Sequence, residues 1–423
     1  MSERGRSFKE AVTSWSPLKK SLFILAIGTI VYGTTIILDG SLISQLMGTL
    51  NLYPDVELYR ARTSTILEGG LLYTDVHTET PPLINYLLVP AQLLGGAEHV
   101  WIYSAYFSLF GILSGLLMYL ALRRYGELPA FVMGLLFVLS PFGFLEGGLA
   151  NDETIVAFTV IVPALLMVLE RNRAASLAIG LGIWTKMWAV LLAPAHFLQM
   201  RSWRERILVI AIIAGISIAV ATPFLILAGD EFTWFLQYYF IGNSERKNEG
   251  LSAQMFLDMG GFEVPNMLSL VIVVIGMLFA YFYAYKKGMG KWESMTLAVV
   301  VFFALYPKMH GGYYLIPVAF LLAWGAGNWK IAARCFLLYI PVILAVAFAP
   351  PVTIDGQAFF HFEGSWVLGL ICALTATIML LETAYTAMKE RSFITQAIEA
   401  RDTAGKAAGP SISVATGLDG EGA

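Results

Sequence analysis

Two carboxylates stand close together in a polar stretch, residues 53–90, that interrupts an otherwise apolar chain. They are Asp55 and Glu57, in the spacing D-x-E. On an extended strand this spacing puts both on one side, whereas in a helix the two side chains point about 200° apart and only one faces a site. A carboxylate beside a membrane cavity can act as a general base toward a hydroxyl nucleophile. We therefore expect Asp55 to be the base and Glu57 an acidic partner; the alternative is a pair of solvated loop acids.

A second acidic set, Asp152 and Glu153, follows Asn151 at the predicted start of a membrane helix. Residues of these types can cap the helix, or they can line the mouth of the cavity that Asp55 faces. Two carboxylates from separate loops can also share a divalent cation. Asp55 and Asp152 are thus candidate metal ligands. No spacing in the chain is diagnostic of a metal site, so a requirement for a divalent metal ion stays open.

Four basic side chains lie in segments that the topology below places on the outer side of the membrane. Basic residues are usually enriched on the cytoplasmic side, so these four are exceptions to the rule. Side chains of these types can bind phosphate. They are Lys186, Arg246, Lys308 and His310. The alternatives are solvated loop charges and, for Lys186, a side chain that snorkels to the membrane interface.

The composition is that of a membrane protein. Hydrophobic residues make up 57% of the 423 residues and charged residues 13%, against about 25% charged in soluble domains. The mean hydropathy is +0.70. The net charge of −3 argues against a nucleic-acid partner. The sequence therefore predicts an all-α, multi-pass protein of the cell membrane.

The basic clusters predict the topology, because cytoplasmic loops are enriched in Lys and Arg. One stretch, residues 174–200, is apolar with basic residues on both flanks. A hairpin of two short helices that meet at Lys186 keeps both flanks cytoplasmic, whereas a single span does not. The predicted count is then about twelve segments with both termini inside. These apolar segments lie at roughly 21–38, 99–122, 129–146, 154–169, 174–185, 187–200, 207–228, 266–285, 293–307, 312–327, 331–349 and 365–385.

Three regions follow from this topology. Residues 1–20 form a cytoplasmic N-terminal tail, and residues 21–385 form the transmembrane domain. Its first external loop, residues 39–98, is expected to be partly helical. Residues 386–423 are expected to be a cytoplasmic, disordered tail, since they end in a run rich in Ala, Gly and Ser.

A series of short motifs runs from Tyr53 to Tyr314. They are Asp55 followed by Tyr59, the G-x-x-L-Y-x-D of Gly69 to Asp75, Pro81-Pro82-Leu83, Asp152 in the next external loop, Lys186 in a short hairpin, Arg246 in a basic external loop and the turn from His310 to Tyr314. This pattern resembles the GT-C superfamily of integral-membrane glycosyltransferases, which includes protein O-mannosyltransferases, aminoarabinose transferases and polyprenol-phosphate-mannose-dependent mannosyltransferases.

The resemblance implies a GT-C-like glycosyltransferase whose active site faces the extracytoplasmic side. It implies inverting transfer of a hexosyl or pentosyl unit from a polyprenyl-phosphate-linked donor to a hydroxyl of a glycan, lipid or protein acceptor. Asp55 would deprotonate that hydroxyl. Lys186 and Arg246, with Lys308 or His310, would stabilise the charge of the leaving phosphate.

Two other functions are compatible with a membrane protein of this composition. A transporter or flippase of a polyprenyl-linked sugar accounts for the apolar bulk and for a buried lysine. Coupling ions of transporters usually bind within helices, whereas the acids here cluster in external loops. A non-catalytic membrane scaffold leaves the lysine of the hairpin, Lys186, without a role.

Overall fold

The computed structural model describes residues 8–40, 54–236, 249–349, 353–354, 357–358 and 366–407. The first half of the chain contains α1 Phe8–Thr13, α2 Pro17–Leu38, α3 Pro54–Leu67, α4 Pro82–Ala91, a π-turn at Gln92–Gly96, α5 Val100–Leu122, α6 Glu127–Val138, α7 Pro141–Gly148, α8 Glu153–Val168, α9 Asn172–Lys186, a 3₁₀ turn at Trp188–Leu192 and α10 Ala193–Gln199. The second half contains α11 Trp203–Leu227, α12 Asp230–Leu236, β1 Glu249–Gly250, α13 Ala253–Met259, α14 Asn266–Lys286, α15 Lys291–Leu305, β2 Lys308–Met309, a 3₁₀ turn at Gly311–Tyr314, α16 Leu315–Gly325, α17 Trp329–Leu337, α18 Tyr339–Phe348, β3 Thr353–Ile354, β4 Gln357–Ala358, α19 Trp366–Ala387 and α20 Phe393–Ala407.

The predicted helical class is confirmed, since the described strands are two residues long and form only two pairs. β1 and β2 are parallel, with Glu249 opposite Lys308, and β3 and β4 are antiparallel. The core is built around α16, whose residues are all buried. Where α5 crosses α6, a Cβ on Gly115 would lie only 2.8 Å from the carbonyl oxygen of Gly134, so small residues let these two backbones approach closely.

The predicted count of about twelve membrane segments is not confirmed. Among the described helices, six spans are long and apolar enough to cross a membrane: α2, α5, α11, α14, the pair α17–α18, and α19. A seventh results if α6 and α7, which are bent by 42°, are one broken span. Other predicted segments are short. The 15 residues of α15 extend about 22 Å at about 1.5 Å per residue, less than the ~30 Å of a bilayer core.

The predicted hairpin at Lys186 is confirmed. α9 ends at Lys186, and the chain turns at Met187, which takes a left-handed conformation with φ 59°. The second arm returns along the first, because the Nε2 atom of His196 lies 3.1 Å from the Ser176 hydroxyl oxygen and 3.2 Å from the Asn172 carbonyl oxygen. Lys186 therefore sits at the tip of the hairpin, at the end of α9 opposite to its basic flank.

The described part of the segment predicted to be the first external loop, residues 54–98, is partly helical, as predicted, and is cross-linked by polar contacts. Arg62 in α3 forms a 2.6 Å ion pair with Glu79, and the Tyr73 hydroxyl donates to the Thr80 carbonyl at 2.8 Å. The Arg60 side chain donates to the carbonyl of Gly96. The Arg62–Glu79 pair thus holds α3, which carries Asp55, against the segment that leads into α4, and the Arg60 bond ties α3 to the turn after α4.

The C-terminal segment is more ordered than predicted, because residues 393–407 of the expected disordered tail form α20. The preceding turn is anchored in the membrane domain by the Glu293 carboxylate, which accepts bonds from the hydroxyls of Ser392 and Thr395. The Trp324 indole donates to the Glu390 carbonyl at 2.9 Å. The amino-acid composition did not predict this helix, because the helix depends on tertiary contacts for its stability. Residues 408–423 lie outside the described part.

Candidate active site

A buried ion cluster lies at the tip of the hairpin. The Lys186 ammonium donates to Asp152 Oδ1 at 3.0 Å and to Glu153 Oε1 at 2.5 Å. All three residues are less than a tenth exposed. Lys186 is the last residue of α9, and Glu153 is the first residue of α8. A cation at a helix C-terminus and an anion at an N-terminus both interact favourably with the helix dipole.

A third carboxylate, Glu146 of α7, borders this cluster and was absent from the predicted site. It accepts a 2.7 Å bond from the Asn151 amide. The turn that begins at Gly311 packs directly on the acids. A Cβ on Gly312 would lie 2.6 Å from Glu153 Cγ and 2.8 Å from Glu146 Cδ. A glycine is therefore required at position 312 for this close contact. Only tertiary packing distinguishes Glu146 from other acids of the sequence.

Asp55 lies near the cluster, on the first turn of α3. The residue is exposed, yet the protein packed around its carboxyl group raises the pKa. Burial is the largest cause, the Asp152 carboxylate raises the pKa further, and the Lys186 ammonium opposes both. The structure thus brings Asp55, Asp152 and Lys186 together. A carboxylate with a raised pKa is a stronger base while it stays accessible to a substrate.

Glu57 does not join this cluster. Because α3 is helical at this point, Glu57 points away from Asp55. Its carboxylate instead forms a 2.8 Å ion pair with Arg60, and its side chain is 63% exposed. The structure therefore does not bring Glu57 to the ion cluster, and its role as an acidic partner stays a prediction.

Tyr59 lies one helical turn after Asp55 and so shares its face of α3. Its ring is buried and packs 5.7 Å from the ring of Phe107. Burial raises the pKa of its phenol well above the usual value, with a further contribution from Asp152. The D-x-x-x-Y motif therefore places a neutral tyrosine next to the candidate base and anchors α3 to α5.

The turn after α15 carries two of the predicted phosphate ligands. Lys308 is buried in β2, and His310 is exposed. The His310 ring packs edge-on at 5.1 Å to the ring of Tyr313, and the Lys186 ammonium lies 5.4 Å from the centroid of that ring. The ring of Tyr313 thus contacts both the His310 ring and the Lys186 ammonium of the ion cluster. Arg246 lies outside the described residues.

An apolar cavity of about 290 Å³ adjoins the cluster. It lies between the second arm of the hairpin, α14 and the end of α15. Trp188 lines it, and the Trp188 ring packs 5.5 Å from the ring of Tyr313. Two aromatic rings, those of Trp188 and Tyr313, thus lie between the cavity and Lys186. Hydrophobic and aromatic side chains form most of the wall, and Lys308 stands at one end.

The contacts of Asp152 limit its capacity to act as a metal ligand. One of its carboxylate oxygens is occupied by the Lys186 ammonium. Within the residues that the structure describes, no three His, Cys, Asp or Glu side chains are grouped so that they could hold a metal ion. The pair formed by Asp55 and Asp152 therefore lacks a third side-chain ligand of these types.

The chain is similar in structure to solved archaeal oligosaccharyltransferases. One is AglB from Archaeoglobus fulgidus in complex with an inhibitory peptide and a dolichol-phosphate, with 13% identity, a TM-score of 0.45, and coverage of 90% of this chain and 57% of that chain. Another is the apo form of the Archaeoglobus fulgidus oligosaccharyltransferase, with 13% identity, a TM-score of 0.45, and coverage of 88% of this chain and 56% of that chain. The chain thus spans little more than half the length of these proteins.

A search of curated protein sequences gives no match. Residues 80–307, more than half of the chain, match glycosyltransferase family 87. This range includes the hairpin, the acids around Asp152 and the end of α15 with its Tyr306-Pro307, and it excludes Asp55. It also agrees with the GT-C resemblance, because family 87 is a GT-C-type family. The chain belongs to glycosyltransferase family 87.

Proposed function

We propose that this membrane glycosyltransferase transfers a sugar from a polyprenyl-phosphate-linked donor to an acceptor hydroxyl, with inversion at the anomeric carbon. The main support for the proposal is an apolar cavity that is lined by Lys308 and that lies two aromatic rings, Trp188 and Tyr313, away from Lys186. A lipid-linked donor has matching parts, namely an apolar chain, a phosphate and a sugar. The family supports glycosyl transfer over transport.

The donor would bind with its isoprenoid chain in the apolar cavity and its phosphate at the Lys308 end. His310 and Lys186 flank the ring of Tyr313, so both can contribute positive charge near the sugar–phosphate bond. Asp152 and Glu153 hold the Lys186 ammonium in place. We include Arg246 as a further phosphate ligand. Positive charge here stabilises the negative charge that develops on the leaving group.

The proposed reaction is a single displacement. Asp55 removes the proton of the acceptor hydroxyl, and the oxygen attacks the anomeric carbon from the face opposite the phosphate. The bond between that carbon and the phosphate oxygen breaks, and polyprenyl phosphate leaves with the electron pair. One displacement inverts the configuration. The leaving phosphate needs no general acid, and the acceptor can be a glycan, a lipid or a protein.

The proposed site faces the extracytoplasmic side. Lys186 ends α9, while the basic residues Arg171 and Arg173 stand at its beginning. If that basic end is cytoplasmic, as the positive-inside rule predicts, the ion cluster lies toward the opposite face of the membrane. The polyprenyl-phosphate sugar is then drawn from the outer leaflet.

Filling the apolar cavity should weaken donor binding. Val273 of α14 lines the cavity and is 6% exposed, whereas Val271, two residues earlier, does not line it and is 44% exposed. In Val273→Trp we expect the KM for the polyprenyl-phosphate donor to rise about tenfold, because overpacking a filled site costs about 1–3 kcal/mol.

Val271→Trp is the matched control and should keep the KM of the wild type. Thermal melting of both variants shows whether each is folded. Equal KM values for both variants, with both folded, would place the donor outside this cavity.

A further inference from the structure

A second cavity, of about 470 Å³, lies at the opposite end of α9 from the ion cluster. It opens where the start of α9 and the start of α11 diverge. Its polar lining includes Arg171 and Arg173, and its apolar lining includes Leu208, Val209 and Ile212 of α11. Its volume falls within the range of about 300–1,000 Å³ that is usual for ligand pockets. No step of the proposed transfer uses this cavity.

The lining of this cavity contains two arginines, Arg171 and Arg173, and two glutamates, Glu170 and Glu205; Lys291 pairs with Glu170 and leaves a net charge of +1. Glu170 forms a 3.5 Å ion pair with Lys291, and the Glu205 carboxylate accepts from the backbone of Ser202 in a capping box. Within the described part of the chain, neither Arg171 nor Arg173 forms an ion pair. Two guanidinium groups therefore face the opening without a carboxylate partner, and a guanidinium suits a phosphate group.

The cavity also lies at the level of a membrane interface. α11 is a 25-residue span, and only 17% of its most apolar window is buried, so this helix faces lipid. At its first turn Trp203 is 70% exposed, and the Arg206 guanidinium lies 5.0 Å from the centroid of its ring. Exposed tryptophan and arginine at the end of a span are typical of the headgroup region.

We propose that this cavity binds the phosphate headgroup of an anionic glycerophospholipid in the leaflet on the basic side of the protein. Arg171 and Arg173 bind the phosphate, and the apolar wall of α11 receives the first part of the acyl chains. The lipid fills the gap between the hairpin and α11 at the end remote from the transfer site. The proposal depends on the membrane location of the chain and does not depend on its reaction.

The test is a titration of the purified full-length protein in detergent with phosphatidylglycerol, followed by thermal melting. Phosphatidylglycerol should raise the melting temperature, and phosphatidylcholine at the same concentration should not. In R171Q/R173Q, about 30-fold more phosphatidylglycerol should be needed for the same rise, since each basic residue contributes about 1 kcal/mol to binding an anionic lipid surface.

R123Q/R124Q is the matched control, because it removes two exposed arginines after the end of α5. These arginines lie at the same end of the helical bundle as the cavity, since the neighbouring Tyr125 hydroxyl donates to the carbonyl of Val168. This variant should titrate as the wild type does. An equal loss in both double variants, or none in R171Q/R173Q, would overturn the proposal. So would an equal rise in melting temperature with inorganic phosphate alone, which would mean a site for free anions.

Discussion

Replacing Asp55 by asparagine should lower the rate of sugar transfer by about 10²–10⁴-fold, the usual loss when a general base is removed. Asparagine keeps the shape and hydrogen-bonding capacity of the side chain but cannot take a proton from the acceptor hydroxyl. The neighbouring charges of Asp152 and Lys186 act on the carboxyl group of Asp55, so the base is close to the cluster. Transfer rates at saturating donor measure the effect, and donor binding and the melting temperature should stay close to those of the wild type.

Glu57→Gln is the control for this experiment, because Glu57 lies two residues away, is exposed and pairs with Arg60. Its transfer rate should stay within about threefold of the wild type, since an exposed ion pair contributes at most about 1 kcal/mol. Full activity of Asp55→Asn together with loss of activity in Glu57→Gln would assign the base to Glu57. Activity in both variants would remove the first external loop from the chemistry.

Replacing Lys186 by methionine should destabilise the protein by about 3–5 kcal/mol, because the carboxylates of Asp152 and Glu153 are left buried without their shared cation. Both carboxylates bond the ammonium directly, at 3.0 and 2.5 Å. Thermal or denaturant unfolding in detergent measures the loss. Adding Glu153→Gln to this variant should recover part of the stability, because it removes one of the unpaired charges.

Lys291→Met serves as the comparison for the lysine substitution. Lys291 pairs with Glu170 at 3.5 Å, and the Glu170 side chain is 67% exposed. The loss should be about 1 kcal/mol or less, as is usual for exposed pairs. Similar stabilities for Lys186→Met and Lys291→Met would show that the Lys186 cluster is not a strongly coupled ion pair network.

Some parts of the site could be predicted from the sequence because they depend on local rules. The hairpin followed from the basic residues that flank residues 174–200, and the positive-inside rule needs no knowledge of packing. The same rule assigned Asp152 and Lys186 to one face, and the structure brings their side chains into contact. The helical face shared by Asp55 and Tyr59 follows from the 3.6-residue period.

Other parts depend on tertiary contacts that composition and spacing do not contain. Glu146 borders the cluster because Gly312 packs between it and Glu153. Tyr313 lies beside Lys186 and not in an aromatic belt at the interface, because the turn after α15 folds inward. The number of membrane segments also could not be predicted from the sequence. An apolar segment of about 15 residues can be a short span or a buried helix, and its length does not distinguish them.

Sugar transfer from a chemically defined donor tests the proposed glycosyltransferase reaction most directly. The purified full-length protein should be incubated with polyprenyl-phosphate sugars of known anomeric configuration and with a panel of hydroxyl acceptors, and the product analysed by NMR. The proposed reaction gives a glycosylated acceptor whose anomeric configuration is opposite to that of the donor, and it releases polyprenyl phosphate. A product of retained configuration, or transfer from nucleotide sugars but not from any polyprenyl-phosphate sugar, would contradict it.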